Sequence, residues 1–104
     1  MSQEYKYLTA LAVVTRVLTP VLESPEKVDG IGEVELRMGN GCGYHGCRVS
    51  ERVFRFLFAG KEVDHIEEDG GTTEYRTEVD GIRFYCWVFG DKKVCVKTTK
   101  AVTL

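Results

Sequence analysis

The run from residue 72 to residue 89 constrains the fold more than any other segment, because it alternates between apolar and polar side chains around Asp80-Gly81. An Asp-Gly pair between two alternating runs is the strongest short-range signal of a β-hairpin. A two-residue turn places Val79 opposite Ile82 and fixes the register of every pair beyond them. The sequence therefore predicts antiparallel strands over 72–79 and 82–89, each with two distinct faces.

This register sorts the hairpin side chains into an apolar face and a mixed face. The apolar face is expected to lie on the core, and it carries Val79, Ile82, Phe84, Cys86 and Val88. The other face combines charge with large aromatic rings, and it carries Glu74, Arg76, Glu78, Arg83, Tyr85, Trp87 and Phe89. Glu78 then faces Arg83 across the ladder, and such opposite charges favour the register.

The remaining segments predict one helix followed by strands. Apolar residues recur at three- and four-residue steps through residues 1–22, with Ser2 as the N-cap, and Pro20 is expected to end or kink this helix. Strands are expected over 31–38, 48–59, 62–67 and 94–99, with 100–104 frayed or a short extension. A Gly60-Lys61 turn would set Phe56 opposite His65, which is expected to be a half-buried residue rather than a catalyst.

These elements define the expected fold class. No interval after residue 30 is long enough for a crossover helix, so the strands are expected to pair with their neighbours along the chain. The prediction is one α+β domain over 1–104, in which an N-terminal helix packs on a five- or six-stranded antiparallel meander within 31–99.

Composition excludes several classes of function. The chain has 104 residues, 16 acids against 14 bases and a formal net charge of −2, which argues against duplex nucleic acid as the main partner. The segment from Leu8 to Leu22 is too short and too polar to span a bilayer. The Met1-Ser2-Gln3-Glu4 start is not that of a signal peptide, so the expected location is the cytoplasm, with reduced thiols.

The glycine-rich loop over 39–47 holds the only local cluster of potential soft metal ligands, Cys42, His45 and Cys47. Zinc needs four ligands in a structural site, or three and a water in a catalytic one, so this loop is a candidate zinc or redox site with one ligand to be found elsewhere. Disulfides between Cys42 and Cys47, or between Cys86 and Cys95, are an alternative. Free thiols are the third alternative, and the one we expect.

Catalytic signatures are weak. The loop lacks the Gly-Lys-Ser/Thr ending of a phosphate-binding loop, and no Ser-His-Asp pattern stands out. The acids at 67–69 fall in a turn, where a solvated tip is expected. Whether the chain is an enzyme stays open, although the sequence favours a protein that is not one.

The mixed face is the best candidate for function, because Tyr, Trp and Arg are the residues that carry interface energy. We expect a small non-enzymatic protein that binds a protein partner through Arg76, Arg83, Tyr85, Trp87 and Phe89. The partner on this face could alternatively be a second copy of the chain. In another alternative, a loop folds over the mixed face and its aromatic residues form a second hydrophobic core. A further alternative is a binder of a small anion, held by Arg76 or Arg83 against Tyr85 and Trp87. Phage-encoded inhibitors of host systems, including anti-CRISPR proteins, are often compact acidic domains of this size, an analogy of size and composition only.

Overall fold

A computed structural model describes residues 3–28, 30–38, 43–68, 71–90 and 98–104, with the side chains of residues 3–6 left out of the description. Two α-helices and six strands are present in these residues. The helices are α1 (Gln3–Glu23) and α2 (Glu51–Leu57), and a 3₁₀ turn covers Pro25–Lys27. The strands are β1 (Glu35–Arg37), β2 (Gly46–Arg48), β3 (Glu62–Glu68), β4 (Thr72–Val79), β5 (Ile82–Phe89) and β6 (Thr98–Thr103).

The fold is α+β, as expected, but its sheet is mixed. The strands lie in the order β1-β2-β5-β4-β3-β6, and β2 runs parallel to β5 while all other neighbours are antiparallel. The prediction of a purely antiparallel meander was therefore wrong. It failed because α2 and the β3–β4 hairpin intervene between β2 and β5, which gives the long connection that a parallel pair requires.

The β4–β5 hairpin is confirmed pair by pair, from Val79↔Ile82 to Thr73↔Val88. Its turn residues Asp80 and Gly81 have φ values of 49° and 81°, the left-handed conformation that an Asp-Gly turn accommodates. Local chemistry alone fixes this register, since no distant contact is needed to choose the turn.

The strand predicted over 48–59 was wrong, because Glu51–Leu57 is the helix α2. The Ser50 hydroxyl accepts a hydrogen bond from the Val53 amide at 3.3 Å and so caps the first turn. Arg55 binds Glu51 one turn earlier, with 2.9 Å between Nε and Oε2. Val53 and Phe54 are buried on this helix. Because Phe56 also belongs to the helix, it does not face His65 across a hairpin, and Tyr75 of β4 pairs with His65 instead.

Both ends of the chain were predicted with alternatives. Pro20 was expected to end or kink the first helix, and it does not end it, because α1 continues to Glu23, close to the predicted end at residue 22. Residues Lys100 to Thr103, expected to be frayed or a short extension, are ordered in β6, which pairs with β3 at the edge of the sheet. The predicted strand over 94–99 lies in part outside the described residues, and its last two residues pair with β3 rather than β5.

The core lies between the two helices and one face of the sheet. It joins buried residues of both helices to the inward-facing residues of β2 and β5: Ala10, Val13, Val14, Val21, Cys47, Val53, Phe54, Phe58, Ile82, Phe84 and Cys86. The predicted apolar face of β5 thus faces the helices. We call the opposite side the open face; it carries Arg37, Arg48, Glu74, Arg76, Arg83, Tyr85, Trp87 and Phe89.

Candidate functional site on the open face

Arginines stack on aromatic rings across the open face. The Arg48 guanidinium carbon lies 4.8 Å from the centre of the Trp87 ring. The Tyr44 ring receives two such contacts, from Arg83 at 3.7 Å and from Arg37 at 4.9 Å. Each contact is worth about 0.5–1 kcal/mol at an exposed site and more where water is excluded. Together they hold long side chains in fixed positions.

The parallel pairing of β2 with β5 creates these stacks. Arg48 lies beside Tyr85, and Gly46 lies beside Arg83. A Cβ added at Gly46 would come within 2.8 Å of the Tyr44 ring and 3.1 Å of the Arg83 carbonyl oxygen. Glycine therefore allows the Tyr44 ring to approach the backbone closely, next to Arg83.

Tyr85 is 3% exposed, although it lies on the face away from the helices. The Tyr44 and Trp87 rings lie 6.2 Å and 5.9 Å from its own ring. This burial raises the pKa of Tyr85 well above its usual range, and a hydrogen bond with Tyr44 adds to the shift. Tyr85 was predicted to be a contact residue, and the structure places it beneath its neighbours, where it supports the surface.

Glu74 fixes the orientation of two neighbours on the open face. The Trp87 indole donates a hydrogen bond from Nε1 to Glu74 Oε1 at 2.8 Å. Arg76 donates from Nε to Glu74 Oε2 at 2.7 Å. One carboxylate therefore orients both the indole ring and the guanidinium, and the three side chains form a polar cluster around the tryptophan.

Among the described residues, Trp87 and Phe89 are the large apolar side chains exposed on this face, at 42% and 76% of their surface. They lie two residues apart on β5 and therefore project on the same side of the sheet. Burying an exposed ring such as that of Phe89 against another molecule is favourable by about 25 cal/mol for each Å² of apolar surface removed from water. The exposed apolar part of the candidate site is thus the end of β5.

Charge divides the open face into two halves. On β3 and β4, Arg76 is accompanied by five carboxylates: Glu62, Asp64, Glu68, Glu74 and Glu78. On β1, β2 and β5, the arginines Arg37, Arg48 and Arg83 are accompanied by Glu35. Hydrogen bonding to Glu35 raises the pKa of Arg48 further above its usual value. A partner that covers both halves must carry the complementary pattern.

A shallow cleft of about 310 Å³ opens between the two halves. Its charged lining comprises three carboxylates and two guanidinium groups: Glu62, Asp64, Glu78, Arg76 and Arg83. Arg83 Nε is buried, and none of the described residues forms a hydrogen bond with it. The cleft brings together Arg76 and Arg83, the two arginines that the sequence singled out as clamps for an anion, but it surrounds them with acids.

The candidate metal ligands are described only in part, since Cys42 lies outside the described residues. Cys47 is fully buried in the core, and its burial raises the pKa of its thiol from 9.0 to about 11. The His45 ring packs 5.5 Å from the Tyr7 ring. Among the described residues there is no group of three or more side chains able to hold a metal ion. A site completed by Cys42 stays a prediction, tested by the metal content of the untagged protein.

Cys47 and Cys86 are free thiols in the core. Burial raises the pKa of Cys86 to about 12, so neither thiol ionises at neutral pH. Cys95, the proposed disulfide partner of Cys86, lies outside the described residues, as does Cys42. Neither Cys47 nor Cys86 is disulfide-bonded in this structure, which for these two residues agrees with the free-thiol alternative.

His65 lies on the helix side of β3, between Tyr75 of β4 and Lys100 of β6. Its ring packs 5.1 Å from that of Tyr75, and its Nε2 is 3.9 Å from a Glu67 carboxylate oxygen. It is half-buried, as expected, although its neighbours are not those that were expected.

Sequence reasoning missed Tyr44, Arg37 and Arg48 as members of this surface. They come from β1, β2 and the loop before β2, more than thirty residues from Trp87 in the chain. The signal that could have found Arg48 is the short apolar pair Cys47 and Val49 around it, because alternation marks a strand with Arg48 on its outer face.

No family model, curated protein or solved structure matches the chain. The site must therefore be interpreted from its own geometry. The described residues also contain no helix with the length and apolar character needed to cross a membrane.

Proposed function

We propose that the chain is a non-enzymatic binding module that contacts a protein partner through the open face, with Trp87 and Phe89 at the centre of the contact. One observation carries the proposal: two large aromatic side chains are exposed next to arginines that are already held in place. Hot spots of protein interfaces are enriched in Trp, Tyr and Arg.

The order within the site supports this role. Arg48 and Glu74 both contact Trp87, which reduces the side-chain entropy that the indole would lose on binding. Among the described residues no stacked arginine or hydrogen bond holds the Phe89 ring, and Phe89 presents the larger exposed fraction of the two. The surface thus offers one pre-organised anchor and one adaptable anchor, flanked by charges of opposite sign that would orient a partner.

A module of this kind acts by occupying a surface of its partner, and inhibition of that partner is the activity we propose for it. The basic half of the open face would contact acidic groups, and the acidic half would contact basic groups. Steering by such fields raises association rates and makes them sensitive to salt.

Site-specific photo-crosslinking tests the proposal. A photoreactive phenylalanine analogue at Phe89 should capture a partner protein from a lysate of the cells in which the chain is naturally made, and the capture should disappear when Trp87→Ala is added. The matched control carries the same analogue at Leu22, which is 68% exposed on α1. Equal capture from both positions, or capture that survives Trp87→Ala, would count against the open face.

The affinity of the captured partner gives the second readout. We expect Trp87→Ala and Phe89→Ala each to weaken binding by at least about tenfold, which is roughly 1.4 kcal/mol. Leu8→Ala and Leu22→Ala, which remove exposed leucines from α1, should leave the affinity unchanged. Loss of binding in the leucine variants would move the contact surface to α1.

A second candidate function is the binding of a small charged ligand in the cleft between β3, β4 and β5. The buried Nε of Arg83, which has no hydrogen-bond partner among the described residues, favours this function. Because carboxylates outnumber guanidinium groups in the lining, a zwitterion suits the cleft better than a simple anion. Thermal-shift measurements with free amino acids and with inorganic phosphate would distinguish a zwitterionic from a simple anionic ligand. A ligand at about 100 times its Kd adds roughly 2.7 kcal/mol to the free energy of unfolding.

A further inference from the structure

The strand β6 forms one edge of the sheet and pairs with β3 alone among the described residues. It is six residues long, against three for β1 at the other edge. Thr98, Thr99, Lys100 and Ala101 are all exposed, and within the described part of the chain no strand pairs with the outer side of β6. Its sequence, Thr-Thr-Lys-Ala-Val-Thr, is rich in β-branched residues and has a single charge. Such an edge is a template for another strand.

The alternation of backbone direction along β6 shows which N–H and C=O groups are available to pair with another strand. The Leu104 amide donates to the Lys61 carbonyl at 3.0 Å, and the Leu104 carbonyl accepts from the Gly60 amide at 2.7 Å. Since N–H and C=O groups alternate in direction along a strand, Val102 and Lys100 also direct theirs towards β3. The groups of Thr99, Ala101 and Thr103 therefore point outward, and we call these residues the outward triad.

We propose that a second copy of this chain pairs with β6 through the outward triad, which gives an antiparallel dimer with its two-fold axis at Ala101. In this register Ala101 faces its own copy, and Thr99 faces Thr103 of the partner subunit. Every outward N–H and C=O group of the triad then has a partner, and the two sheets join into one.

The sequence of β6 suits this register better than its alternatives. A two-fold axis at Lys100 would set two lysines directly opposite each other, which is destabilising, and would pair fewer outward groups. The axis at Ala101 instead places Lys100 opposite Val102 of the partner subunit, and it places Ala101 opposite Ala101 of the partner subunit. This self-complementarity in charge, size and hydrogen bonding is the reason to commit to a second copy rather than to a strand from another protein.

The dimer would determine how the open faces are arranged. A two-fold axis through an antiparallel strand pair is perpendicular to the sheet, so both open faces lie on the same side. The two copies of β5 would be seven strand spacings apart, or about 34 Å. This inference does not rest on the proposed function, because β5 and β6 are separated by β4 and β3.

Sedimentation equilibrium of the full chain, in reductant, tests the proposal. A contact built mainly from one strand pair is small, so we expect a monomer–dimer equilibrium with a Kd on the order of 100 µM. Ala101→Lys and Ala101→Glu should each raise the Kd at least about tenfold, because like charges then meet at the axis. An equimolar mixture of the two variants should restore the dimer, because lysine then faces glutamate.

Two further variants guard against misfolding and against a different register. Ala101→Pro removes an outward N–H without touching a hydrogen bond to β3, so it should abolish the dimer and leave the circular dichroism spectrum unchanged. Lys100→Ala should change the Kd by less than about threefold, whereas marked tightening would indicate an axis at Lys100. Residue-resolved hydrogen exchange should show concentration-dependent protection at the outward triad and not at Lys100 or Val102.

A wild-type chain that stays monomeric at about 1 mM would overturn the proposal. A dimer that persists in Ala101→Lys would overturn it too, because that dimer would use another surface. Loss of partner binding in Trp87→Ala with an intact dimer would concern the open face only, so the failures of the two proposals are distinguishable.

Discussion

Arg48 stacks on Trp87, with its guanidinium carbon 4.8 Å from the centre of the indole ring, although 38 positions separate the two residues in the chain. Arg48 also forms ion pairs with Glu33 and Glu35, at 3.5 Å and 3.1 Å. Trp87 in turn donates a hydrogen bond to Glu74. The stack therefore links β1, β2, β5 and β4 across the open face.

Replacing Arg48 should destabilise the contacts that link these four strands. Arg48→Ala removes the stack and both ion pairs, so we expect the free energy of unfolding to fall by about 1 kcal/mol. Trp87 is the only tryptophan, so its fluorescence reports directly on the change, and the emission should shift to longer wavelength. Arg55→Ala is the matched control, because Arg55 stacks on Tyr75 at 5.1 Å. An unchanged emission in Arg48→Ala would contradict the stack.

Gly46 should tolerate no larger side chain. Gly46→Ala would press a methyl group against the Tyr44 ring and the Arg83 carbonyl, and we expect a loss of about 1–3 kcal/mol in chemical denaturation. Gly43→Ala is the control, since an added Cβ there meets nothing within 4 Å. Equal stability of the two variants would show that Tyr44 does not lie over Gly46.

Ser50 should be the residue that makes the following segment helical. Its hydroxyl accepts from the Val53 amide and donates to the Ile31 carbonyl at 2.8 Å. Ser50→Ala loses both bonds, so the free energy of unfolding should fall by about 1–2 kcal/mol. Ser24→Ala serves as the control, because the Ser24 side chain makes no capping hydrogen bond. Similar losses in the two variants would argue against the cap.

The buried thiols should make the protein less stable at alkaline pH. The pKa of Cys47 is raised from 9.0 in the unfolded chain to about 11 in the folded one. Between these values the unfolded state has released a proton that the folded state keeps, so the free energy of unfolding falls as pH rises from about 9 to about 11. The slope approaches 1.4 kcal/mol per pH unit for each such thiol.

Urea denaturation across this pH range measures the effect. Cys47→Ala should be less stable than the wild type at pH 7, because a cavity is left, but its stability should fall less steeply above pH 9. Cys86→Ala should behave in the same way up to about pH 12. Parallel pH profiles for the wild type and both variants would show that the thiols do not carry this dependence.

The sequence predicted those features that short-range chemistry decides. The Asp80-Gly81 turn fixed the register of β4 and β5, and this register in turn separated Phe84 and Cys86 from Trp87 and Phe89 correctly. The N-terminal helix was predicted from its apolar period, and its predicted end at residue 22 lies one position before the observed end at Glu23. The sequence therefore predicted the part of the candidate site that lies on β5.

The apolar run Val53 to Phe58 shows where sequence reasoning stops. Its residues suit a buried strand and a buried helix equally, and periodicity cannot separate the two over so short a length. Capping by Ser50 and the packing of Phe54 and Phe58 beneath the sheet select the helix. The local cap and the tertiary contacts together therefore override the β propensity of the segment.

The sequence by itself determined the α+β class, the central hairpin and the division of β5 into a helix-facing side and an opposite side, because turn residues and alternation act within a few positions. Only the tertiary structure decided that β2 lies parallel to β5, that β6 forms the edge beside β3, that Arg48 stacks on Trp87, and that Tyr85 is buried beside Tyr44. Those pairings join segments far apart in the chain, and their free energy comes from long-range hydrogen bonds and packing that no local pattern encodes.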